Sequence, residues 1–365
     1  MAENRKYVIA LVIPSLGPGG MERVMSELAE YLSKKSNILV HVVLYGMNRE
    51  QFYSVPTNIV MHKPNFIFND RYRLLSTIKT SFSLRQILSR IKPDSILSFG
   101  EYWNSFVLLS LFALNYPVYI SDRCKPDKCL GLIHDTLRRL LYPIASGVIV
   151  QTETARNIYS SFIDYKKLTV IGNPIRRIAV SCNVQKENIV LSVGRLIESK
   201  HHYELIRLFV AISKPGWRLV IVGGDALKQK NMTRLQSLID TLGAKDTVEL
   251  AGNQSNVNYF YQKSKIFAFT SSSEGFPNVV GEAMGSGLPV VSFNCVAGPS
   301  DMVTDGIDGF LIPLFDYSLF SNKLKLLMDN EELRISMGQM AFKNIKKYNI
   351  ELIGKKYYKL LSDNK

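Results

Sequence analysis

The sequence has few of the residues that build metal centres and disulfide frameworks. Four cysteines are scattered along 365 residues, without the spacing of a zinc site or of a disulfide-rich domain. Five histidines form no metal-binding pattern, and no Asp-any-Asp triplet is present to hold a divalent cation on a diphosphate. We therefore expect reduced, structural cysteines and a protein that requires neither a metal nor a bound cofactor.

The sequence also lacks a long uninterrupted apolar run. Residues 106–120 form the longest apolar stretch, but Asn115 and Pro117 interrupt it, and it is too short to cross a bilayer as one helix. The first six residues lead into a strand-like run without a signal-peptide cleavage pattern. We expect a cytoplasmic protein that is free or peripheral on the inner face of the cell membrane.

Negative charge is scarce, because 45 lysines and arginines face 31 acidic residues, a formal net charge of +14. This excess favours a negatively charged partner, which is nucleic acid, anionic lipid or a phosphorylated ligand. In residues 71–92, six cations accompany apolar residues at helical spacing, such as Leu74 and Phe82 and then Leu84 and Leu88. This basic segment is either a surface helix packed on its own domain or a helix that contacts an anionic membrane.

The first part of the sequence alternates between apolar runs and helical patterns, which predicts a doubly wound α/β domain over residues 1–172. It opens with a strand, a glycine-rich turn, an amphipathic helix and a second strand. The strands predicted here are residues 7–13, 38–45, 95–99, 118–121, 148–151 and 168–171.

A linker is predicted at residues 173–188, where Asn173-Pro174 and then a polar segment interrupt the pattern. A second α/β series follows over residues 189–348, and a lysine-rich helix over residues 349–365 could return to the first domain. The strands predicted in the second series are residues 189–193, 218–222, 248–250, 266–270, 290–292 and 310–312. The chain is therefore interpreted as two α/β domains in tandem.

The most informative segment runs from the apolar residues 266–270 to Glu282. Its pattern predicts a strand, a tight loop and a helix, in which Pro277 suits the first helical turn and Asn278 helps to start it. Free N–H groups at such a helix start bind phosphate, and the Glu274 and Glu282 carboxylates can accept hydrogen bonds from sugar hydroxyls. A nucleotide sugar needs both functions, whereas an acidic helix start that faces solvent is the simpler alternative.

Two cations are predicted at the ligand-binding edge of the second sheet. Arg195 and Lys200 lie in the loop after the first strand of this domain, and open α/β sheets bind ligands at the carboxyl ends of their strands. Arg195 can fork onto two phosphate oxygens, and Lys200 adds a point charge. The alternative is that both are ordinary surface charges.

Glycine-rich turns occur at two further strand ends. In residues 17–20, Gly19 and Gly20 would let the backbone approach a ligand closely, although the turn lacks the spacing of a dinucleotide fingerprint and the lysine of a P-loop. Residues 298–301 are interpreted as a structural turn and helix start.

Taken in order along the chain, these motifs resemble those of glycosyltransferase family 4. The resemblance covers nearly the whole sequence, and the motifs of the second domain are specific in combination. The matching residues are Gly19-Gly20, Asn173-Pro174, Gly194-Arg195 with Lys200, Glu274-Gly275-Phe276-Pro277-Asn278 with Glu282, and Gly298-Pro299-Ser300.

The resemblance implies the GT-B architecture, in which two Rossmann-like domains face each other across a cleft. The second domain would hold the nucleotide sugar and the first the acceptor. Arg195 and Lys200 would bind the diphosphate, Glu282 the ribose, and Glu274 would lie near the reacting sugar. Transfer would proceed with retention of anomeric configuration and without a metal. Further donor contacts implied by the resemblance come from Gly19, Gly20, Phe276, Pro277, Asn278 and Val279.

Two positions fall outside this pattern. Many family members have a histidine in the first-domain loop after the fifth strand, whereas this loop reads Ser121-Asp122-Arg123. Arg123 is therefore interpreted as a residue that binds acceptor or phosphate. Recognition of the nucleotide base is assigned to backbone groups near Gly252.

We expect a retaining glycosyltransferase that moves a hexose or N-acetylhexosamine from a nucleotide diphosphate sugar, with UDP favoured, to a glycan or lipid-linked acceptor. Bacterial surface polysaccharide or glycolipid assembly would use this reaction, and a basic first domain would assist work at an anionic membrane. A nucleotide-sugar epimerase is the enzymatic alternative, because a fold does not fix its chemistry. A nucleic-acid-binding protein is less favoured, because the sequence has no recognised nucleic-acid module.

Overall fold

The computed structural model describes residues 5–47, 49, 51–176, 178, 184–212 and 214–362. The chain divides into two compact units, of which the first is Met1–Pro174 with Ile350–Lys365 and the second is Ile175–Asn349. Part of the predicted linker, at 177 and 179–183, lies outside the described residues. The rest includes Ile175, which is buried in the core of the second unit.

Strands and helices alternate along most of the chain. The strands are β1 Tyr7–Ile13, β2 Ile38–Leu44, β3 Val60–His62, β4 Ser95–Phe99, β5 Val118–Ser121, β6 Gly147–Val150, β7 Leu168–Val170, β8 Ile189–Val193, β9 Arg218–Val222, β10 Val248–Gly252, β11 Ile266–Phe269, β12 Val290–Phe293 and β13 Gly309–Ile312. The α-helices are α1 Gly20–Ser33, α2 Arg73–Ile91, α3 Asn104–Ser110, α4 Leu132–Leu141, α5 Glu153–Tyr159, α6 His202–Ile212, α7 Asn231–Thr241, α8 Val257–Lys263, α9 Asn278–Gly285, α10 Pro299–Met302, α11 Tyr317–Asp329, α12 Glu331–Asn344 and α13 Ile350–Ser362. None of the helices in the described part of the chain is both long enough and apolar enough to cross a membrane.

The first unit is built on a parallel sheet with the order β3-β2-β1-β4-β5-β6-β7. Residues 9–13 of β1 are fully buried, because helices cover both faces of a parallel sheet, and this explains the unbroken apolar run in the sequence. The edge strand β3 was not predicted, since three residues are too few to show a periodic pattern.

The second unit is built on a parallel sheet with the order β10-β9-β8-β11-β12-β13. The two-domain α/β prediction is therefore confirmed in its architecture: both sheets are parallel and doubly wound. One detail of the second unit differs. Pro277 precedes the helix it was expected to enter, since its ψ of 81° is not helical.

The apolar residues of α2 fall on two different surfaces. Leu84 and Leu88 are fully buried in the core of the first unit, whereas Leu74 and Phe82 are 75% and 68% exposed. Ser76 and Thr80, in the early turns of the helix, are buried, so α2 packs on its own unit along its length and exposes part of its apolar stripe. The contact of α2 with an anionic membrane stays a prediction.

The C-terminal helix α13 belongs to the first unit, where it packs on α1. Gly354 is the point of closest approach, because a Cβ atom there would lie 2.4–2.6 Å from ring atoms of Tyr31. Asn37 Nδ2 also donates to the Tyr358 hydroxyl at 2.9 Å. The last helix thus depends on the absence of a side chain at one position.

We predict that Gly354→Ala lowers the stability of the first unit, because the added methyl must displace α13 from the Tyr31 ring. Overpacking of this kind costs about 1–3 kcal/mol. Gly285→Ala is the matched control, since Gly285 is also helical but has no atom within 4 Å of the added Cβ. Thermal unfolding of the three proteins tests the prediction, and equal midpoints for Gly354→Ala and the parent would contradict it.

Candidate active site

The strand order of the second unit fixes where a ligand site can form. β8 lies between β9 and β11, so the chain leaves β8 on one side of the sheet and returns to its other side later. In open α/β sheets, ligands bind at the carboxyl ends of the strands where the order reverses. The loops after β8 and β11 meet at this point, and they contain the two most informative motifs of the sequence.

Hydrogen bonds join these two loops directly. The Ser272 N–H donates to the Ser199 carbonyl at 2.9 Å, and the Thr270 hydroxyl donates to the Lys200 carbonyl at 2.7 Å. The His201 ring nitrogen Nε2 and the Ser272 hydroxyl lie 2.9 Å apart. Residues about seventy positions apart in sequence are therefore held as one surface, which the sequence alone could not show.

A charged pair lies on this surface. The Lys200 ammonium forms an ion pair with the Glu274 carboxylate, and both side chains are largely buried. The Lys200 Nζ is also 5.2 Å from the centre of the Phe269 ring. Arg195 is exposed, and its guanidinium makes no ion pair with any described residue. One cation is therefore fixed beside a carboxylate, and a second is available to a ligand.

The loop from β11 to α9 offers backbone donors to an anion. The N–H groups of residues 273–276 and of Val279 donate no hydrogen bond within the described part of the chain. Asn278 begins α9, and its own N–H donates to the Phe276 carbonyl at 3.0 Å. The Phe276 side chain is buried and packs edge to face on Tyr348, with ring centres 5.3 Å apart. Phe276 thus anchors the loop, whose unpaired N–H groups are donors that a ligand could use.

The glycine turn at residues 298–301 packs against the loop between β11 and α9. Gly298 has a φ of +102°, and a Cβ atom there would lie 2.2 Å from the Cδ of Pro277. The Gly298 N–H donates to the Asp301 carboxylate at 3.3 Å. The structural role predicted for residues 298–301 agrees with this contact, since only glycine allows both the backbone angle and the close approach.

Glu282 is a buried carboxylate in the second turn of α9, with 8% of its surface exposed. The Tyr261 hydroxyl donates to its Oε2 at 3.1 Å, and Tyr261 is itself fully buried. The other oxygen, Oε1, accepts no hydrogen bond from the residues described. Burial excludes the alternative of a solvated acidic residue, and the orientation set by Tyr261 leaves one oxygen for a ligand.

Glycine residues lie at the ends of the neighbouring strands. Gly223, after β9, has a φ of +149°, and a Cβ atom there would lie 1.9 Å from the Gly194 carbonyl oxygen. The Gly223 N–H donates to the carbonyl of Gly252, which has a φ of +66°. The consecutive glycines after β9 were a visible signal that the sequence analysis missed. The role of Gly252 in base recognition stays a prediction.

Two further ionisable groups near the charged pair are neutral at physiological pH. Burial, together with the charges of Lys200 and His201, lowers the pKa of His202 to about 3. Burial and then the Glu274 carboxylate raise the pKa of the Cys295 thiol to about 12. Since the thiolate is the reactive form of cysteine, Cys295 is not a nucleophile here. Among the described residues, no group of three His, Cys, Asp or Glu side chains could hold a metal ion.

A groove of about 750 Å³ lies beside this surface, between residues 196–204 and α7. Its lining includes Glu198, His201 and Arg234 but none of the predicted donor-binding side chains. The groove and the predicted donor site are therefore different surfaces of the second unit.

In the first unit, Gly19 and Gly20 lie where β1 ends and α1 begins. Gly19 has extended backbone angles, and Gly20 is the first helical residue. The Glu22 carboxylate bends back over this turn, because a Cβ atom on Gly19 would lie 2.1 Å from its Oε2. Burial raises the pKa of Glu22. A diphosphate could use this turn only if the Glu22 side chain moved away, so the predicted roles of Gly19 and Gly20 stay predictions.

The loop after β5 is held by a buried network. Asp122 accepts hydrogen bonds from the hydroxyls of Tyr142 and Tyr159, each at 2.6 Å, and burial raises its pKa. The neighbouring Arg123 guanidinium lies 3.6 Å from the centre of the Phe99 ring and donates to Asn173 and to the Tyr357 hydroxyl. Arg123 therefore joins parts of the first unit, and its proposed contact with acceptor or phosphate stays a prediction.

Two family models match consecutive parts of the chain. Residues 18–177 match the model described as Glycosyltransferase Family 4, and residues 177–344 match the model described as Glycosyl transferases group 1. A full-length relative is the amylovoran biosynthesis glycosyltransferase AmsD of Erwinia amylovora, which is 28% identical over 98% of this chain and 100% of its own. An α-1,4-N-acetyl-D-galactosaminyltransferase of Campylobacter jejuni, named for an undecaprenol-linked acceptor, is 27% identical over 98% of this chain and 99% of its own.

Solved structures show the same fold. TarM has a TM-score of 0.79 at 16% identity, and the alignment covers 98% of this chain and 99% of that one. HepE of Anabaena, solved in complex with UDP, has a TM-score of 0.80 at 17% identity over 97% of this chain and 99% of that one. With two parallel α/β units and both family models matched in order, the chain belongs to the group 1, family 4-like glycosyltransferases of GT-B fold.

Proposed function

We propose that this glycosyltransferase moves a hexose or N-acetylhexosamine from a UDP-sugar to a glycan or lipid-linked acceptor, with retention of anomeric configuration. The proposal rests mainly on one observation: hydrogen bonds and an ion pair hold residues 199–201 against residues 270–274. This contact brings the Lys200 cation, the Glu274 carboxylate and a row of free N–H groups to one sheet edge. A sugar diphosphate needs such a combination, because its phosphates require donors and its hydroxyls require acceptors.

Each residue is proposed to act on a different part of the donor. Arg195, Lys200 and the N–H groups of the loop bind the diphosphate and stabilise the negative charge that grows as it departs. Glu274 accepts hydrogen bonds from the sugar hydroxyls and stabilises positive charge at the reacting carbon. Glu282 accepts from the ribose through Oε1. Because Lys200 already pairs with Glu274, the carboxylate does not repel an approaching diphosphate.

The proposed transfer takes place on one face of the sugar. The bond between the anomeric carbon and the diphosphate oxygen breaks, and the acceptor oxygen bonds to that carbon on the face from which the diphosphate leaves. The acceptor hydroxyl proton passes to the departing diphosphate. No glycosyl-enzyme forms, so Glu274 is assigned a positioning and electrostatic role and not that of a nucleophile.

The acceptor class is proposed from the relatives. The names of two full-length relatives refer to amylovoran biosynthesis and to an acceptor on undecaprenol diphosphate. The UDP preference is supported by neighbours of the same fold that were solved with UDP. We therefore place the reaction in bacterial surface polysaccharide or glycolipid assembly, on the cytoplasmic side of the membrane where nucleotide sugars are present.

We also propose that α2 contacts the anionic membrane that carries such an acceptor. The helix combines cations with exposed apolar side chains, of which Leu74 and Phe82 are 75% and 68% exposed. Adsorption of this type scales with apolar area and with attraction to anionic lipids, and salt weakens it. A helix with these properties lies in the membrane surface without crossing it.

We predict that Arg195→Ala weakens binding of a UDP-sugar roughly tenfold or more, because a charge-assisted contact contributes about 1.5–3 kcal/mol. Arg195 is exposed and unpaired in the described chain, so the fold should not change. Calorimetry measures the donor affinity. Arg207→Ala is the matched control, since Arg207 is an exposed arginine of α6 in the same unit. Equal affinities for Arg195→Ala and Arg207→Ala would refute the diphosphate role.

We predict that Glu282→Gln lowers donor affinity by about tenfold, because one carboxylate oxygen is replaced by an N–H donor where the ribose presents hydroxyls. Tyr261→Phe should lower the affinity less, since it keeps the carboxylate and removes the hydroxyl that orients it. Glu332→Gln, an exposed change on α12, provides the control. Donor binding by Glu282→Gln at the level of this control would show that Glu282 does not contact the ligand.

We predict that the protein releases UDP from an α-linked UDP-sugar only when an acceptor is present, and that the product linkage is α. The physical reason is that the acceptor hydroxyl attacks on the face of departure. A nucleotide assay and NMR of the product measure the two outcomes. Loss of the sugar configuration without any acceptor would indicate an epimerase, and a β linkage would overturn the retaining mechanism.

A further inference from the structure

A basic groove lies on the first unit. It has a volume of about 560 Å³ and is formed between one face of α2 and the segment that follows β3. Lys79, Phe82 and Arg90 come from α2, and Lys63 and Phe66 from the opposite wall. Nothing in the proposed transfer reaction uses these residues.

The spacing of the helical residues explains why they share one wall. Lys79, Ser83, Gln86 and Arg90 recur every three or four positions, and Phe82 is three positions after Lys79, so they lie on the same helix face. Lys79 and Arg90 are about 16 Å apart along the helix axis at 1.5 Å per residue. The cations therefore stand near the two ends of an elongated groove.

The opposite wall is fixed by Arg49 and by contacts with α2. Arg49 Nη1 donates to the Pro64 carbonyl at 3.2 Å, and the guanidinium carbon lies 5.3 Å from the Phe66 ring centre. The Asn69 N–H donates to the Ser76 hydroxyl of α2 at 3.1 Å. The groove is thus a formed surface and not a gap between loose segments.

The charge of the groove is not neutralised by the protein. Lys63, Lys79 and Arg90 are exposed and form no ion pair with the residues that the structure describes, and no Asp or Glu is among the lining residues. Three positive charges around a cavity without a carboxylate favour an anion, and phosphate is the anion that Lys and Arg bind most often in this way.

Exposed apolar side chains accompany the cations of the groove. Ile67, directly after Phe66, is 91% exposed, and Phe82 lies on the lining itself. A free phosphate ion has no apolar part that could contact these side chains. A phospholipid can place its phosphate on the cations and its first chain carbons on the apolar side chains. We propose that this groove binds the headgroup phosphate of an anionic phospholipid and so fixes the orientation in which the first unit docks. This inference rests on the proposed contact of α2 with a membrane.

Vesicle binding by matched variants tests the site. The groove variant is Lys63→Gln/Lys79→Gln/Arg90→Gln, and the control is Arg71→Gln/Arg73→Gln/Lys92→Gln, which removes the same charge from exposed positions outside the groove. Binding to vesicles of phosphatidylcholine with phosphatidylglycerol is measured for both, with thermal unfolding as the test of folding. The groove variant should lose roughly a hundredfold in partition coefficient, about fivefold per cation, and the control less than tenfold.

The outcomes separate the groove from diffuse charge and from the enzymatic proposal. Equal losses in both variants would overturn the groove site but keep the membrane contact of α2. Equal binding of the parent to neutral and to anionic vesicles would overturn both the groove site and the contact of α2 with an anionic membrane. Thermal stabilisation of the parent by inorganic phosphate that is lost in the groove variant, together with equal vesicle binding by the parent and the groove variant, would identify a free-phosphate site and overturn the lipid assignment. Transfer to a water-soluble acceptor should be unchanged in the groove variant, so loss of the proposed reaction is scored separately.

Discussion

The pairing of β8 with β11 is the constraint on which the active site depends. Val190 and Leu191 pair with Ile266 and Phe267, although the two strands are far apart in sequence. This register brings the ends of both strands to one edge, where Ser199 accepts from Ser272 and Lys200 pairs with Glu274. Without that pairing, the cations and the carboxylate would be unrelated surface charges. The sheet topology therefore determines which side chains come together at the candidate site.

Glycine has a second role in this site, which is to let backbone segments approach one another. Gly223 allows contact with the Gly194 carbonyl, and Gly298 allows contact with Pro277. Both have positive φ angles, so a side chain would cost backbone strain as well as space. The loop proposed to bind the diphosphate is consequently held in place before a ligand arrives, and a preorganised set of donors stabilises developing charge more effectively than one that must rearrange.

Sequence reasoning recovered the elements better than their contacts. Continuous apolar runs predicted both parallel sheets, because strands covered on both faces have no polar alternation. The partner of Glu282 could not be predicted, since Tyr261 belongs to α8, which has no distinctive pattern. The sequence pattern of α2 predicts one apolar stripe, but the apolar residues of this stripe divide between the buried core and the solvent-exposed surface. Such contacts depend on how elements pack, and no local spacing encodes that.

Hydrogen exchange with and without a UDP-sugar tests the central claim most directly, because it reports on every loop at once. Backbone amides of residues 273–276 and of Val279 donate to the ligand in this account, and residues 199–200 are hydrogen-bonded to the start of the same loop. Both segments should therefore become protected when the donor binds, while amides of α7 should not change. Protection confined to the groove between residues 196–204 and α7, with residues 273–279 unchanged, would place the nucleotide sugar on another surface and contradict the account.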